Sequence, residues 1–315
     1  MDESARPLEP SVAPSVIGGD NAGGRRARLV EMLDPVDDHN FRHFRMRHMA
    51  AELLRPGLPP GCMAPDFELP DTDGGRQRLS ELRGRPVLLH FVSYTCPVTR
   101  GGVANMREIY RLYSERVRVI EVLVRQAHPG ERHGAYRSYE AKLDDGRAYQ
   151  REERIPWPVL IDDLPGTVQR AYGGPAAAVY LIDSRGIVSF CGVWGQSPAL
   201  RAAIDDLLAR NGTGSPAGRG TDRRPHLAAA IVAGQRGPVR GGRQALIDLE
   251  LGFPGASILM ITGRLARPLL APAGPAHDTA AGAGTRRACH RRPWRSHRHR
   301  PAAAPQASRR PCLVT

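Results

Sequence analysis

Two continuous apolar runs constrain the fold of this chain more than any other feature of its sequence. Residues 86–92 read Pro-Val-Leu-Leu-His-Phe-Val, and residues 117–124 read Val-Arg-Val-Ile-Glu-Val-Leu-Val. Runs of this kind are typical of strands that are covered on both faces of a sheet. Because residues 97–115 between them carry apolar side chains at helical spacing, the three segments predict a strand–helix–strand unit with parallel strands.

The sequence after this unit continues the alternation of strands and helices. Residues 157–162 predict a third strand, and residues 168–172 predict a short helix. Residues 179–194 predict a β-hairpin around a Ser-Arg-Gly turn, and residues 200–208 predict a closing amphipathic helix. This order predicts an α/β, thioredoxin-like fold of three layers, with helices on both faces of a central mixed sheet.

Composition divides the chain into three parts. Residues 1–57 are predicted to be a disordered arm followed by a helical extension, and residues 58–211 to be the thioredoxin-like domain. Residues 212–315 form a basic low-complexity tail, with one helix and one strand predicted within residues 245–262. Residues 271–312 contain no Val, Leu, Ile, Met, Phe or Tyr, so we expect the tail to be mostly disordered.

The net positive charge of the chain comes entirely from this tail. Residues 1–211 contain 28 basic and 28 acidic residues, whereas residues 212–315 contain 17 Arg and 4 acidic residues, a difference of +13. The neutral domain argues against a nucleic-acid-binding fold and leaves only weak polyanion binding through the tail. Since the sequence offers neither a signal-peptide segment nor a long apolar run, we expect a cytoplasmic protein without a membrane partner.

One of the five cysteines, Cys96, lies at a position where its thiol would be reactive. It follows the first apolar run and precedes Pro97, which favours the first position of a helix. Cys96 is therefore predicted to be the N-cap residue, where backbone N–H groups and the helix dipole lower the pKa of a thiol. This placement predicts a thiolate nucleophile. The alternative is a buried cysteine that packs as a small apolar side chain.

Polar side chains close to Cys96 in sequence are predicted to support this chemistry. Ser93, Thr95 and Thr99 offer hydroxyl groups for hydrogen bonds to the sulfur. Arg100 adds a positive charge one helical turn further along. All four side chains would stabilise the thiolate form of Cys96.

His128 is predicted to share the site with Cys96. It follows the second apolar run, and the carboxyl ends of neighbouring parallel strands form the usual ligand crevice of such a sheet. There it would act as an acid or base towards the sulfur or the substrate. The alternative is a loop histidine that faces water.

A second thiol that resolves oxidised Cys96 has two candidates in the chain. Cys191 lies late in the predicted hairpin, and Cys62 precedes the first predicted strand. The alternative for each of them is an unreactive cysteine. An external thiol is an equal alternative as the group that resolves Cys96. The chain has no CxxC pair that would settle the choice.

Several of these segments resemble known thioredoxin-superfamily proteins. Residues 64–91, APDFELPDTDG followed by LSELRGRPVLLHF, resemble the start of the redoxin and peroxiredoxin branch. The motif at 93–97, Ser-Tyr-Thr-Cys-Pro, is similar to the Ser-x-Thr-Sec-Pro motif of the iodothyronine deiodinases, with Cys96 at the selenocysteine position. Ala-His-Pro at 127–129 is similar to the Ala-His that follows the next strand in that family. The resemblance implies deiodinase-like attack on a halogenated substrate.

The chain departs from each related pattern at one or more positions. Arg125 and Gln126 replace the acidic pair of the deiodinases, and sulfur replaces selenium. The peroxiredoxin motif expects Pro seven residues before the cysteine, where Leu89 stands, although Ser93 fits its Thr-or-Ser position. Thioredoxin disulfide exchange expects a second cysteine where Thr99 stands.

Together these observations predict a thiol-dependent oxidoreductase. Cys96 would attack a soft electrophilic atom of a halogenated or similar small molecule, and His128 would handle a proton. Thioredoxin or a low-molecular-weight thiol would be the external reductant, without a tightly bound cofactor or a metal. Two alternatives stay open: a peroxiredoxin-type thiol peroxidase with an antioxidant role, and a non-catalytic redox sensor or binding module.

Overall fold

The fold is taken from a computed structural model of the chain. It describes residues 39–48, 50, 57–195, 198–214, 232 and 234–270. The predicted disorder of the N-terminal arm and of residues 271–315 lies outside the described residues.

A five-stranded mixed sheet forms the centre of the domain. Its order is β5-β4-β3-β6-β7, with β3, β4 and β5 parallel, β6 antiparallel to β3, and β7 antiparallel to β6. A separate hairpin, β1–β2, precedes it. The strands are β1 (Glu68–Pro70), β2 (Arg76–Arg78), β3 (Val87–Val92), β4 (Arg118–Leu123), β5 (Val159–Ile161), β6 (Val179–Ile182) and β7 (Val188–Gly192). The predicted thioredoxin-like topology is confirmed.

Seven α-helices complete the described part of the chain. They are α1 (Pro97–Tyr113), α2 (Tyr139–Glu152), α3 (Thr167–Tyr172), α4 (Pro198–Ala209), α5 (Arg236–Gly241), α6 (Arg243–Gly252) and α7 (Ala256–Leu270). A 3₁₀ turn at Leu79–Leu82 and a helical turn at 46–48 accompany them. The helix α2 begins where the Ser138 side chain accepts a hydrogen bond from the backbone N–H of Ala141.

Both faces of the sheet are buried, which explains the unbroken apolar run of β3. Leu88 belongs to a core cluster that contains Met106 of α1, whereas Phe91 belongs to the cluster on the opposite face. Neighbouring residues of a strand point to opposite faces, so a strand covered on both sides needs apolar residues throughout. The one polar side chain within β3, His90, pairs with the buried Glu121 at 2.9 Å.

The tail differs from its prediction in residues 234–270. The structure contains three helices there, α5 to α7, and the segment predicted as a strand lies within α7. Leu249, Ala256 and Met260 form a small buried cluster, and α5 packs against α1. The composition of the tail offers too little apolar material for a separate core, and only part of it is buried: α5 contacts the domain, whereas Ile258 and Leu265 of α7 are exposed. The predicted boundary at residue 211 therefore does not mark the end of the packed structure.

None of the helices in the described ranges is long and apolar enough to cross a membrane by itself. Residues Arg243–Gly252 and Ala256–Gly263, which are bent by 112° relative to each other, pass the length and composition criteria only as a pair.

Candidate active site

Cys96 lies where β3 passes into α1. It is the N-cap residue of α1, its backbone is extended (φ −79°, ψ 123°), and Pro97 occupies the first helical turn. The backbone N–H of Arg100 donates to the carbonyl oxygen of Cys96 at 3.1 Å, which closes the first turn. The Cys-Pro sequence therefore folds locally as its residue types predict.

Burial of Cys96 outweighs the effect of the helix start on its thiol. The backbone N–H groups of Val98 and Thr99 and the Thr99 hydroxyl all lower the pKa of the Cys96 thiol. Burial opposes them and dominates, so the pKa of Cys96 lies above its ordinary value. Cys96 is only 6% exposed. The predicted thiolate is thus wrong for this closed structure, because the sequence does not reveal what covers the sulfur.

Ser93 and Thr95 bind the neighbouring strand end. The Ser93 hydroxyl accepts from the backbone N–H of Ala127 at 2.8 Å, and the Thr95 hydroxyl accepts from that of His128 at 3.1 Å. The Thr95 hydroxyl also donates to the Gln126 side chain at 2.9 Å. These side chains hold the loop before Cys96 against residues 126–128.

Arg125, and not the predicted Arg100, lines the cavity beside Cys96. Arg100 forms an ion pair with Glu153, with 2.8 Å between Nε and Oε1. Arg125 is buried, and its guanidinium carbon lies 4.6 Å from the centre of the Phe41 ring. Because Arg125 also lines the cavity beside Cys96, it is the positive charge of the site. The sequence presented Arg125 only as a departure from a family pattern.

His128 lines the same cavity as Cys96, as predicted from the strand order. The side chain is 7% exposed, and its ring centre lies 4.4 Å from that of Phe44. Burial, aided by the charge of Arg125, lowers the pKa of His128 to about 3. Its Nδ1 atom is buried and has no hydrogen-bond partner among the described residues. At neutral pH the ring is uncharged, and its low pKa means that it does not retain a proton but can only pass one on.

The cavity beside Cys96 is small and mostly apolar. Its volume is about 60 Å³. A buried water needs roughly 10 to 15 Å³, so the cavity has room for a small molecule. Besides Cys96, Arg125 and His128, its walls include Phe41, Phe44, Val193, Trp194, Leu249 and Phe253.

Two segments outside the predicted domain form part of these walls. Phe41 and Phe44 come from the N-terminal extension, and Leu249 and Phe253 come from α6 and the residue after it. Asp248 joins the two segments, since its carboxylate binds His43 at 3.1 Å and Arg45 at 2.9 Å. These two segments are called the roof of the cavity. The only feature of the sequence that indicated the roof was the apolar spacing within each segment.

A polar network lies on the other side of the Cys96 loop. The Gln126 carbonyl accepts from the N–H of Thr95 at 3.2 Å as well as from its hydroxyl. The Gln126 amide donates to Asp145 at 2.6 Å and to the Tyr136 hydroxyl at 2.9 Å. His133 binds the other oxygen of Asp145 at 2.7 Å. Gln126 is thus a positioning residue that the sequence did not identify.

The structure does not bring either candidate resolving cysteine to Cys96. Cys191 in β7 faces Tyr180 in β6, which faces Leu89 in β3. Two strand spacings amount to about 10 Å, and Leu89 is itself seven residues before Cys96. A disulfide needs Cα atoms within about 7 Å. Cys62 is disulfide-bonded, whereas Cys96 and Cys191 are not part of a disulfide.

Comparisons with known proteins agree with the fold. The profile of the AhpC/TSA family matches residues 60–191. The chain is 32% identical over 129 residues to the thiol-disulfide oxidoreductase ResA of Geobacillus thermodenitrificans, covering 41% of this chain and 66% of that protein. It is 33% identical over 152 residues to the methylamine utilization protein MauD of Methylorubrum extorquens, covering 46% of this chain and 71% of that protein. The structure of peroxidoxin BcpB from Mycobacterium tuberculosis aligns with a TM-score of 0.35 at 22% identity, covering 50% of this chain and 99% of that chain.

Proposed function

The chain belongs to the AhpC/TSA family of the thioredoxin superfamily, and from that premise we propose that it is a single-cysteine thiol oxidoreductase that reduces a small peroxide. The redoxin part of the resemblance seen in the sequence is confirmed. The chain spans 66% of the length of ResA, whose name describes a thiol-disulfide oxidoreductase. The substrate and the reductant of this chain are therefore part of the proposal.

The closed, single-cysteine geometry is the observation that carries this proposal. Thr99 stands where dithiol exchange needs its second cysteine, and its hydroxyl accepts a hydrogen bond from the backbone N–H of Ser93 at 3.3 Å. The cavity of about 60 Å³ beside the sulfur suits a peroxide better than a protein disulfide. A lone buried thiol that meets a small oxidant reacts by forming a sulfenic acid.

The chemical step must move the thiol proton as the new bond forms, because burial raises the pKa of the Cys96 thiol. The sulfur attacks the distal oxygen of the peroxide, an S–O bond forms and the O–O bond breaks. The sulfur is oxidised by two electrons, and the peroxide ROOH is reduced to the alcohol ROH. The thiol proton passes to the leaving oxygen through the uncharged ring of His128, which lines the same cavity.

Arg125 supplies the charge that this step requires. The oxygen that leaves the peroxide carries negative charge until it takes up the proton. A buried guanidinium stabilises such a charge more strongly than an exposed one, because little water screens it. Arg125 is 7% exposed and lines the cavity, so it is suited to this role.

An external thiol regenerates Cys96 in this scheme. One thiol condenses with the sulfenic acid to give a mixed disulfide and water, and a second thiol releases Cys96 and leaves as a disulfide. A low-molecular-weight thiol suits this step, since it fits the small cavity beside Cys96 and Cys191 lies two strands from Leu89. The reductant therefore comes from outside the described residues.

A second candidate function is deiodinase-like removal of a halogen. It is favoured by the aromatic walls Phe41, Phe44 and Trp194 around Cys96 and His128, which would pack against a halogenated ring. The carbon–halogen bond would break as Cys96 takes the halogen as a sulfenyl halide, and the thiol proton would pass through His128 to the ring carbon. An external thiol would then displace the halide and form a mixed disulfide with Cys96. The third candidate is a non-catalytic sensor. In such a protein Cys96 would be oxidised, but no substrate would be turned over.

The experiment that separates these functions is a turnover assay with two substrates. Purified protein receives hydrogen peroxide or an iodinated phenol, with dithiothreitol as reductant. We expect peroxide consumption that is lost in Cys96→Ser and retained in the matched control Cys191→Ser. Iodide release without peroxide consumption would favour the deiodinase function. Oxidation of Cys96 without turnover of either substrate would favour the sensor.

A further inference from the structure

The helices α5 and α6, here called the cap helices, lie directly on the loop that carries Cys96. A Cβ atom at Gly237 would be 2.7 Å from both the carbonyl carbon and the carbonyl oxygen of Cys96, and 2.9 Å from the nitrogen of Pro97. These distances are too short for any side chain, so the backbone of α5 is in van der Waals contact with the Cys96 backbone. A macromolecule that docked beside Cys96 would need the same space.

A second close approach lies at the other end of α5. The carbonyl oxygen of Gly241 accepts a hydrogen bond from the backbone N–H of Arg132 at 3.1 Å. A Cβ atom at Gly241 would lie 2.6 Å from the carbonyl oxygen of His128. Glycine at 237 and 241 thus lets one short helix contact the segments that carry both reactive residues.

Arg240 holds α5 in this position. Its guanidinium binds Glu153 at 2.6 Å, Glu152 at 2.7 Å and the carbonyl oxygen of Tyr94 at 3.2 Å. It also lies 4.3 Å above the centre of the Tyr94 ring. The Arg240 side chain is only 12% exposed, so these charge-assisted contacts are screened little by water.

The start of α6 is fixed by a separate contact. The Glu131 carboxylate accepts hydrogen bonds from the backbone N–H groups of Arg243 at 2.5 Å and Gln244 at 2.8 Å. These bonds lower the pKa of Glu131, so the carboxylate stays charged at the positive end of the helix dipole. From there α6 runs over the cavity and places Leu249 in its wall.

We propose that the cap helices determine the specificity of Cys96, admitting small molecules and excluding macromolecular disulfides, and that Arg240 holds them closed. This inference rests on the proposed function, because it assumes that Cys96 is the reacting group. It assigns a role in the site to residues 236–252, which lie outside the thioredoxin-like domain. A chain whose cap is released would expose Cys96 to large thiol reagents.

The test compares a small and a large reagent on the full chain. Wild type and Arg240→Ala react with iodoacetamide or with a maleimide that carries a long polyethylene glycol chain, and peptide mapping follows Cys96 alone. We expect Arg240→Ala to raise the labelling rate with the large reagent, relative to the small one, by about tenfold. Arg236→Ala, which removes an exposed arginine from the same helix, is the matched control and should leave the ratio at the wild-type value.

A second variant releases the cap without removing a charge. Gly237→Ala places a methyl group against the Cys96 backbone and should raise the same ratio. An unchanged ratio in both variants, with folding checked by circular dichroism, would overturn the inference. A raised ratio without peroxide consumption in any variant would overturn the proposed function but retain the cap. Peroxide consumption with an unchanged labelling ratio would overturn the role of the cap helices but retain the proposed function.

Discussion

The apolar cavity beside Cys96 and a polar groove along residues 130–137 differ in how their polar groups are bonded. The cavity has a volume of about 60 Å³, and the groove has a volume of about 670 Å³. The groove is lined by charged and polar side chains, among them Glu131, His133 and Asp145. Residues 127 and 128 line the cavity and residues 130–137 line the groove, so one segment of the chain runs from the cavity side to the groove side.

Hydrogen bonding separates the two sides more clearly than size does. On the groove side, both ends of the Gln126 amide are bonded to described residues. On the cavity side, the buried Nδ1 of His128 has no partner in the described part of the chain. Unpaired buried polar atoms are costly and rare, so they mark places where a ligand is expected. The groove side holds the loop, and the cavity side keeps its reactive groups available.

The largest expected effect comes from breaking the groove side. Gln126→Leu leaves the Thr95 hydroxyl, the Tyr136 hydroxyl and the buried Asp145 without their shared partner. We expect the free energy of unfolding to fall by about 4 kcal/mol, because several buried polar groups lose hydrogen bonds together. Urea denaturation measures this fall. Gln77→Leu, at a partly exposed position in β2, should change stability by about 0.5 kcal/mol or less. Equal losses in the two variants would contradict the role given to Gln126.

A smaller effect is expected from pH, through the cavity side. The pKa of His128 is lowered to about 3 in the folded chain, whereas an exposed histidine has a pKa of about 6.5. Between these values the unfolded chain binds a proton that the folded chain does not. The contribution of His128 to the free energy of unfolding is therefore fully present above about pH 6.5 and is lost progressively as the pH falls towards 3. By pH 4 the loss is on the order of 3 kcal/mol.

Urea denaturation at pH 7 and pH 4 checks this value. The variant His128→Gln should lose less stability between the two pH values than wild type does. Some pH dependence should persist in the variant, because the pKa of His39 is also lowered to about 3 by burial. Identical losses in wild type and variant would show that His128 is not held uncharged by burial.

The smallest effect concerns the roof of the cavity. Leu249 is 1% exposed and lines the cavity, whereas Leu251, two residues further along α6, is 73% exposed. We expect Leu249→Ala to lower the free energy of unfolding by about 2 kcal/mol and to raise activity on bulky organic hydroperoxides relative to hydrogen peroxide. Leu251→Ala is the control and should change neither quantity. A larger effect of Leu251→Ala would mean that the roof is not packed as described.

The local parts of this site follow from the sequence, and the long-range parts do not. The apolar runs, the Cys-Pro pair and the strand order are enough to place Cys96 at the N-cap and His128 beside it. The burial of Cys96 depends on Gly237, which is separated from it by more than a hundred residues. A contact of that kind has no periodicity or composition that would reveal it.

Two other differences between the sequence prediction and the structure also have physical reasons. Ser93 and Thr95 carry hydroxyl groups that suit either the sulfur or the next strand end, and only the packing of residues 126–128 decides between them. Short apolar runs such as residues 256–262 fit a strand or a helix, and packing of Ala256 and Met260 against Leu249 of α6 favours the helix. In both cases the residue types allow two structures, and tertiary contacts select one.

The fate of Cys96 after oxidation tests the central claim most directly. Wild-type protein is treated with an equimolar amount of hydrogen peroxide in the presence of dimedone, which traps sulfenic acids, and its peptides are mapped by mass spectrometry. We expect a dimedone adduct on Cys96, with Cys191 unmodified. A disulfide between Cys96 and Cys191, or an adduct confined to other cysteines, would contradict the single-cysteine site described here.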